Sequence, residues 1–243
     1  IEPDVPIHYT TDGSIPTPES PLYQGALRID EPVLVSARAF APGRGPSIAT
    51  SARYIALDPA LTATRSSLPI IMIDLLEQGE ARRESFMAGI IMTFDGDGQG
   101  ETDLSGPATV VSDVAIRVRG QSSAGAPKRP YRIELRDGAG KDRNVVLLGM
   151  PADADWVLHG PFTDKSLVRN KLIYDLGREI GLDAPRSALC ELYVNGGSNA
   201  IGHEDYRGVY LLVERLEIGA DRININRLKP NDLEPPAITG GYL

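Results

Sequence analysis

The stretch Arg119-Gly120-Gln121-Ser122-Ser123, with Lys128 and Arg132 close behind it, combines the residue types that hold a polyphosphate. A small-residue loop offers backbone N–H groups and the Ser122 and Ser123 hydroxyls to anionic oxygens, and Arg119, Lys128 and Arg132 can neutralise the charge. Arg132 alternates with Tyr131 and Ile133, so its side chain leaves the apolar face of its strand. The competing reading of the same residues is an ordinary hairpin with a polar tip, in which Lys128 and Arg129 are solvated.

Lys165 and Arg169 stand at i and i+4 of an expected helix, on one face of its N-terminal end. Cations there oppose the helix dipole, which points to an anion nearby, a carboxylate or a ligand phosphate; a surface basic pair is the alternative. Glu214 ends the apolar run 209–213 and can orient a ribose or an arginine, with Arg207 and Arg215 near in sequence. A strand end emerging into water explains it equally. The acidic glycine stretch 95–103 imitates the first half of a calcium loop. Gly106 stands where an EF-hand needs Glu and no helices flank it, so a solvated turn is expected. His8, His159 and His203 lie far apart without zinc spacing, and His159 is expected to be structural. Cys190, in the apolar run 188–194, is expected to be buried and permits no internal disulfide.

Two regions must position these residues. Residues 1–57 alternate as short strands broken by Pro- and Gly-rich turns, the pattern of a small sandwich. Residues 58–67 read as a linker. Beyond it, strands are expected at 68–75, 89–94, 114–119, 131–135, 145–148, 155–158, 189–194 and 209–214. One long helix is expected over 165–180, with Leu167, Val168, Leu172, Ile173, Leu176 and Ile180 on one apolar stripe, Asp164 as N-cap and Gly181 as the stop.

The 42% hydrophobic and 24% charged composition is that of a soluble globular protein, and a net charge of −8 argues against a broad nucleic-acid surface. No apolar run has membrane-spanning length. The start at Ile1 without Met and the stop on Gly-Gly-Tyr-Leu read as a piece of a longer protein.

The phrases Tyr9-Thr10-Thr11-Asp12-Gly13-Ser14-Ile15-Pro16-Thr17, Ser20-Pro21-Leu22-Tyr23 and Val35-Ser36-Ala37-Arg38-Ala39-Phe40 resemble the chitobiase/β-hexosaminidase C-terminal-type domain. This is a small β-sandwich attached to many bacterial secreted proteins. It implies no catalysis, only a spacer or sugar-contacting role. The second region resembles the CotH kinase family, the spore coat protein H type. The matching phrases are Arg119 to Ser123 with Pro127 to Leu135; Leu147-Leu148-Gly149-Met150-Pro151; Asp155 to Ser166 with Arg169-Asn170; Tyr206 to Glu214; and Thr239-Gly240-Gly241-Tyr242-Leu243.

That resemblance implies an atypical protein kinase that uses ATP and a divalent metal, Mg or Mn, to phosphorylate Ser or Thr of proteins. The expected architecture is thus a small all-β sandwich (1–57), a linker (58–67), and the α+β N-lobe and hinge of a truncated kinase-like domain (68–243). Within it, Arg119 to Ser123 would cover the phosphates, Lys128 and Arg132 would flank them, and the 165–180 helix would brace the cations. The family's catalytic and metal-binding aspartates follow the Gly-Gly-Tyr-Leu phrase, so no catalytic residue is expected before Leu243. The expected partners are ATP, a Ser/Thr-bearing protein substrate and, through the first module, a polysaccharide; the expected location is extracellular or at the cell surface. A non-catalytic scaffold or polysaccharide-binding protein is the rival, weakened by 6% aromatic residues and a single Trp, Trp156. A carbohydrate-active enzyme would need paired carboxylates in a cleft, which the sequence does not display.

Overall fold

The computed structural model describes residues 5–29, 31–96, 100–235 and 238. In the first region, strands β1 (Ile7–Thr10), β2 (Val33–Ala39) and β3 (Thr50–Tyr54) form one antiparallel sheet in that order. Among the described residues this is a single sheet, not two stacked ones. The segment expected to be a plain linker carries a short 3-10 helix, Pro59–Ala63. Asp58 caps it by accepting from the Ala60 N–H, and Leu61 is wholly buried.

The rest of the chain contributes β4 (Arg65–Ser66), β5 (Ile70–Asp74), β6 (Met87–Phe94), β7 (Thr102–Asp103), β8 (Val110–Val118), β9 (Tyr131–Arg136), β10 (Val145–Leu147), β11 (Met150–Asp153), β12 (Asp155–His159), α1 (Arg169–Glu179), β13 (Ser187–Asn195) and β14 (Tyr206–Glu214). Seven of these strands close into a barrel in the order β12-β14-β13-β5-β6-β8-β9, with β9 pairing back onto β12. Every neighbouring pair is antiparallel except β13 with β5, which run parallel from Glu191 opposite Ile70 to Asn195 opposite Asp74.

This closure overturns the expectation of an α+β kinase-like N-lobe and hinge. Its regular structure is mainly strand, with α1 as the one α-helix among the described residues. The reason is where the apolar side chains go. Inward positions such as Ile116, Ile133, Trp156, Leu192 and Leu212 fill the barrel, as expected when few strands enclose a narrow interior. The β5 run is apolar on both faces because both are covered. Ile71 and Ile73 point into the barrel, and Ile70 and Met72 pack outside it with Leu61 and Ile201. With the sheet rolled onto itself, its inner face is filled by its own strands and leaves nothing there for a helix to cover.

α1 accordingly lies outside, touching the barrel chiefly through Tyr174, which packs against Val157, Leu211 and Val213. It starts at Arg169, later than the spacing suggests, because Leu167 has φ +65° and the Asp164 carboxylate accepts the Ser166 and Arg169 N–H groups at 3.1 and 2.9 Å. Leu172, Ile173, Leu176 and Ile180 are exposed, so the apolar stripe that signalled the helix is not what buries it. Gly181, at φ +83°, ends it as expected.

Candidate functional site

The two ends of the barrel both carry charge, and they differ in whether it is neutralised. At one end meet the C-terminal ends of β8 and β12 and the N-terminal ends of β9 and β14. The loop from β8 to β9 turns at Gly120 (φ +94°), where a methyl group would run into the Ser123 hydroxyl. It then makes the 3-10 turn Ser123–Gly125 and enters β9 through Pro127-Lys128-Arg129-Pro130. Three contacts fix this arm. The Arg119 N–H donates to the Pro130 carbonyl at 2.9 Å, and the Tyr210 hydroxyl donates to the Arg129 carbonyl at 2.9 Å. Gly160 lies so close that a Cβ there would stand 2.8 Å from the Lys128 carbonyl.

So held, the Lys128 ammonium sits 5.1 Å from the centre of the Tyr210 ring and beside Gly208, which adopts φ +93°. Lys128 is half-buried, and among the described residues it has no carboxylate partner. Burial, with a smaller push from Lys165, lowers its pKa. His159 ends β12 nearby. Burial first, then Arg119 and Lys128, hold its pKa below the ordinary histidine value, against the opposing pull of Asp164. Asp164 is already engaged by Ser166 and Arg169. This mouth is therefore a partly desolvated electropositive place without its counter-charge, the environment that stabilises a bound anion.

The predicted site residues divide into groups. Arg119 and Lys128 lie near His159, and Lys165 lies near Lys128. Lys165 donates to the Phe162 carbonyl at 2.8 Å and lies over that ring, while the exposed Arg169 sits 3.5 Å from Asp164. Because α1 begins at Arg169, these two cations do not share a helical face. The Ser122 and Ser123 hydroxyls, on the loop, make no hydrogen bond among the described residues. Arg132 faces outward as expected, paired with Glu134 at 2.6 Å and Asp155 at 3.0 Å.

Glu214 lies at the opposite end of β14, about 20 Å from Gly208 at strand rise. It is buried, accepting from the Arg186 N–H and guanidinium at 2.8 and 2.7 Å and pairing with Arg222, which also meets Asp153 at 2.6 Å. Its partners are thus Arg186 and Arg222. Arg207 donates instead to the Val194 carbonyl, and Arg215 pairs with Asp155. The charge at this end is internally matched.

His159, Tyr210, Gly160 and Gly208 belong to the mouth and were not singled out for it. Their signal in the sequence is slight: two glycines and two rings inside phrases that carry the CotH resemblance, with His159 read as structural. Among the described residues no group of three His, Cys, Asp or Glu side chains could hold a metal ion. Of the calcium-like stretch, residues 97–99 lie outside the described residues. Cys190 is buried inside the barrel, its thiol pushed up to about 12 by desolvation.

No curated protein matches the chain. The barrel segment that carries Arg119, Lys128, His159 and Tyr210 lies within a family match, and the first sheet within another: residues 116–235 match the CotH kinase protein family and residues 1–52 the chitobiase/beta-hexosaminidase C-terminal domain, so at the level of family the chain is similar to a kinase protein preceded by that module.

Proposed function

We propose that this chain supplies the ATP-binding part of a protein kinase that transfers the γ-phosphate to Ser or Thr of a secreted or cell-surface protein. The observation that carries the reading is Lys128: a half-buried ammonium, clamped by its backbone and, among the described residues, lacking a carboxylate, in the segment that matches a kinase family. Phosphoryl transfer asks a protein mainly to position phosphates and neutralise their charge. Lys128 supplies a fixed cation. Arg119 adds a second, and the free Ser122 and Ser123 hydroxyls can donate to phosphate oxygens. No step is assigned to a metal, since among the described residues no three His, Cys, Asp or Glu side chains stand together as ligands.

The test is titration of ATP into the protein and into Lys128→Ala, with and without Mg. A loss of affinity of tenfold or more in the variant supports the reading, about 1.4 kcal/mol or more. Equal affinity in both proteins removes it.

A polysaccharide contact is proposed for the first module on a separate observation. Tyr9, Tyr23 and Tyr54 line one hollow of its sheet with Ile7 and Val35, and Tyr23 and Tyr54 are about half exposed. Retention on insoluble polysaccharide should fall in Tyr54→Ala.

A further inference from the structure

Outward-facing residues of the barrel wall build a second basic feature beside the mouth. Arg117 on β8 stands opposite Arg132 on β9, and Arg132 stands opposite Val157 on β12. Arg83, Arg119 and Arg215 join them around a cleft of about 400 Å³. Five arginines therefore line one space. Asp155 answers Arg132 and Arg215 at 3.0 and 3.2 Å, and Glu134 answers Arg132. Arg83, Arg117 and Arg119 have no carboxylate partner among the described residues, which leaves about three charges unmatched. Such crowding is unfavourable without an anion.

The guanidinium groups are also oriented. Those of Arg117 and Arg132 lie 5.0 and 5.4 Å from the centre of the Phe86 ring. The Nε atoms of both are enclosed by protein and donate to nothing. Stacking an arginine on a ring fixes its plane at small conformational cost, and a planar fork presents two parallel donors to a tetrahedral oxyanion.

We propose that this cleft binds a phosphomonoester dianion carried on a protein chain, that is, a phosphorylated Ser or Thr side chain. The chemistry is that of an arginine cluster meeting a phosphate. Two observations favour a chain-borne phosphate over a nucleotide. The lining offers Val157 and Val118 as its only aliphatic side chains, too little for the apolar slot a base requires. The rim residues Arg83 and Arg119 are exposed, so the cleft opens on the outer wall where a polypeptide can lie. The cleft borders the mouth and shares Arg119 with it, but it does not include Lys128, which lies over Tyr210, and the inference stands whether or not the ATP reading holds.

The experiment measures binding of a fluorescent phosphoserine peptide by anisotropy. The comparisons are its unphosphorylated twin, inorganic phosphate and ATP as competitors, and the variants Arg117→Gln and Arg83→Gln. Arg83 is exposed, so its variant reports on binding even where Arg117→Gln fails to fold. The expected result is binding that requires the phosphate and weakens at least tenfold in Arg117→Gln and severalfold in Arg83→Gln. Lys128→Ala should leave it within about twofold. Equal binding of the phosphorylated and plain peptides overturns the proposal, as does unchanged affinity in both arginine variants. Strong competition by ATP that Lys128→Ala abolishes overturns it too, since the cleft would then be part of the nucleotide site.

Discussion

The Tyr210 side chain touches the Lys128 arm twice: its ring lies 5.1 Å from the Lys128 ammonium, and its hydroxyl donates to the carbonyl of the next residue, Arg129, at 2.9 Å. One inward-facing residue of β14 thus fixes both the charge and the backbone that carries it. Tyr210→Phe keeps the ring and deletes the hydroxyl, leaving the Arg129 carbonyl without that donor. Denaturant unfolding should show a loss of about 1 kcal/mol, and ATP affinity should fall by less than in Lys128→Ala. Full retention of stability would show that the hydroxyl does not anchor the arm.

Gly160 and Gly208 make the approach possible, for different reasons. A methyl at Gly160 meets the Lys128 carbonyl at 2.8 Å and the Tyr210 ring at 3.0 Å, both held in place. At Gly208 the backbone itself, at φ +93°, opposes any side chain. Gly160→Ala is expected to shift the Lys128 arm and lower ATP affinity. Gly208→Ala is expected to cost about 1 kcal/mol or more of stability as well. Titration and thermal melting of the two variants separate these effects.

Much of this was legible in the sequence because alternation is local. Tyr131, Ile133 and Leu135 announced β9, and the outward course of Arg132 followed from them. The closure was not legible. It depends on β5 lying parallel to β13, more than a hundred residues later, and no local pattern encodes that partner. The spacing of Leu172, Ile173 and Leu176 signals a helix without saying whether anything covers the stripe. Nothing in the local pattern marks Arg117, which becomes notable only when the barrel wall sets Arg117 and Arg132 against the same Phe86 ring.

His159 gives the mouth a pH signature. Its folded pKa lies below the ordinary value of 6.5, owing to burial first and then to Arg119 and Lys128. Above that value the residue is neutral in both folded and unfolded chains. As pH falls through it, the unfolded chain takes up a proton that the folded one resists, so stability drops until pH reaches the folded pKa. His159→Gln should flatten that part of the curve of melting temperature against pH. An anion at Lys128 should raise the His159 pKa, visible as a shift of its imidazole NMR titration on adding ATP. A titration indifferent to ATP would place the phosphates elsewhere.

Glu214 offers the sharpest contrast between a ligand role and a structural one. Its carboxylate is buried at the end of the barrel away from Lys128, where it meets Arg186 and Arg222, and Arg222 lies 5.5 Å from the centre of the Trp156 ring. Removing one partner from such a cluster strands the others, because a buried guanidinium without its carboxylate keeps the full desolvation cost. Glu214→Ala should therefore lose about 3–5 kcal/mol of unfolding free energy. Glu214→Gln keeps the shape and an acceptor oxygen, so it should lose less. If Glu214 only locks the barrel, the protein that remains folded will bind ATP as tightly as before, measured well below its melting temperature. A selective loss of ATP affinity in Glu214→Gln, at unchanged stability, would instead put the ribose against this residue and the nucleotide along the length of β14.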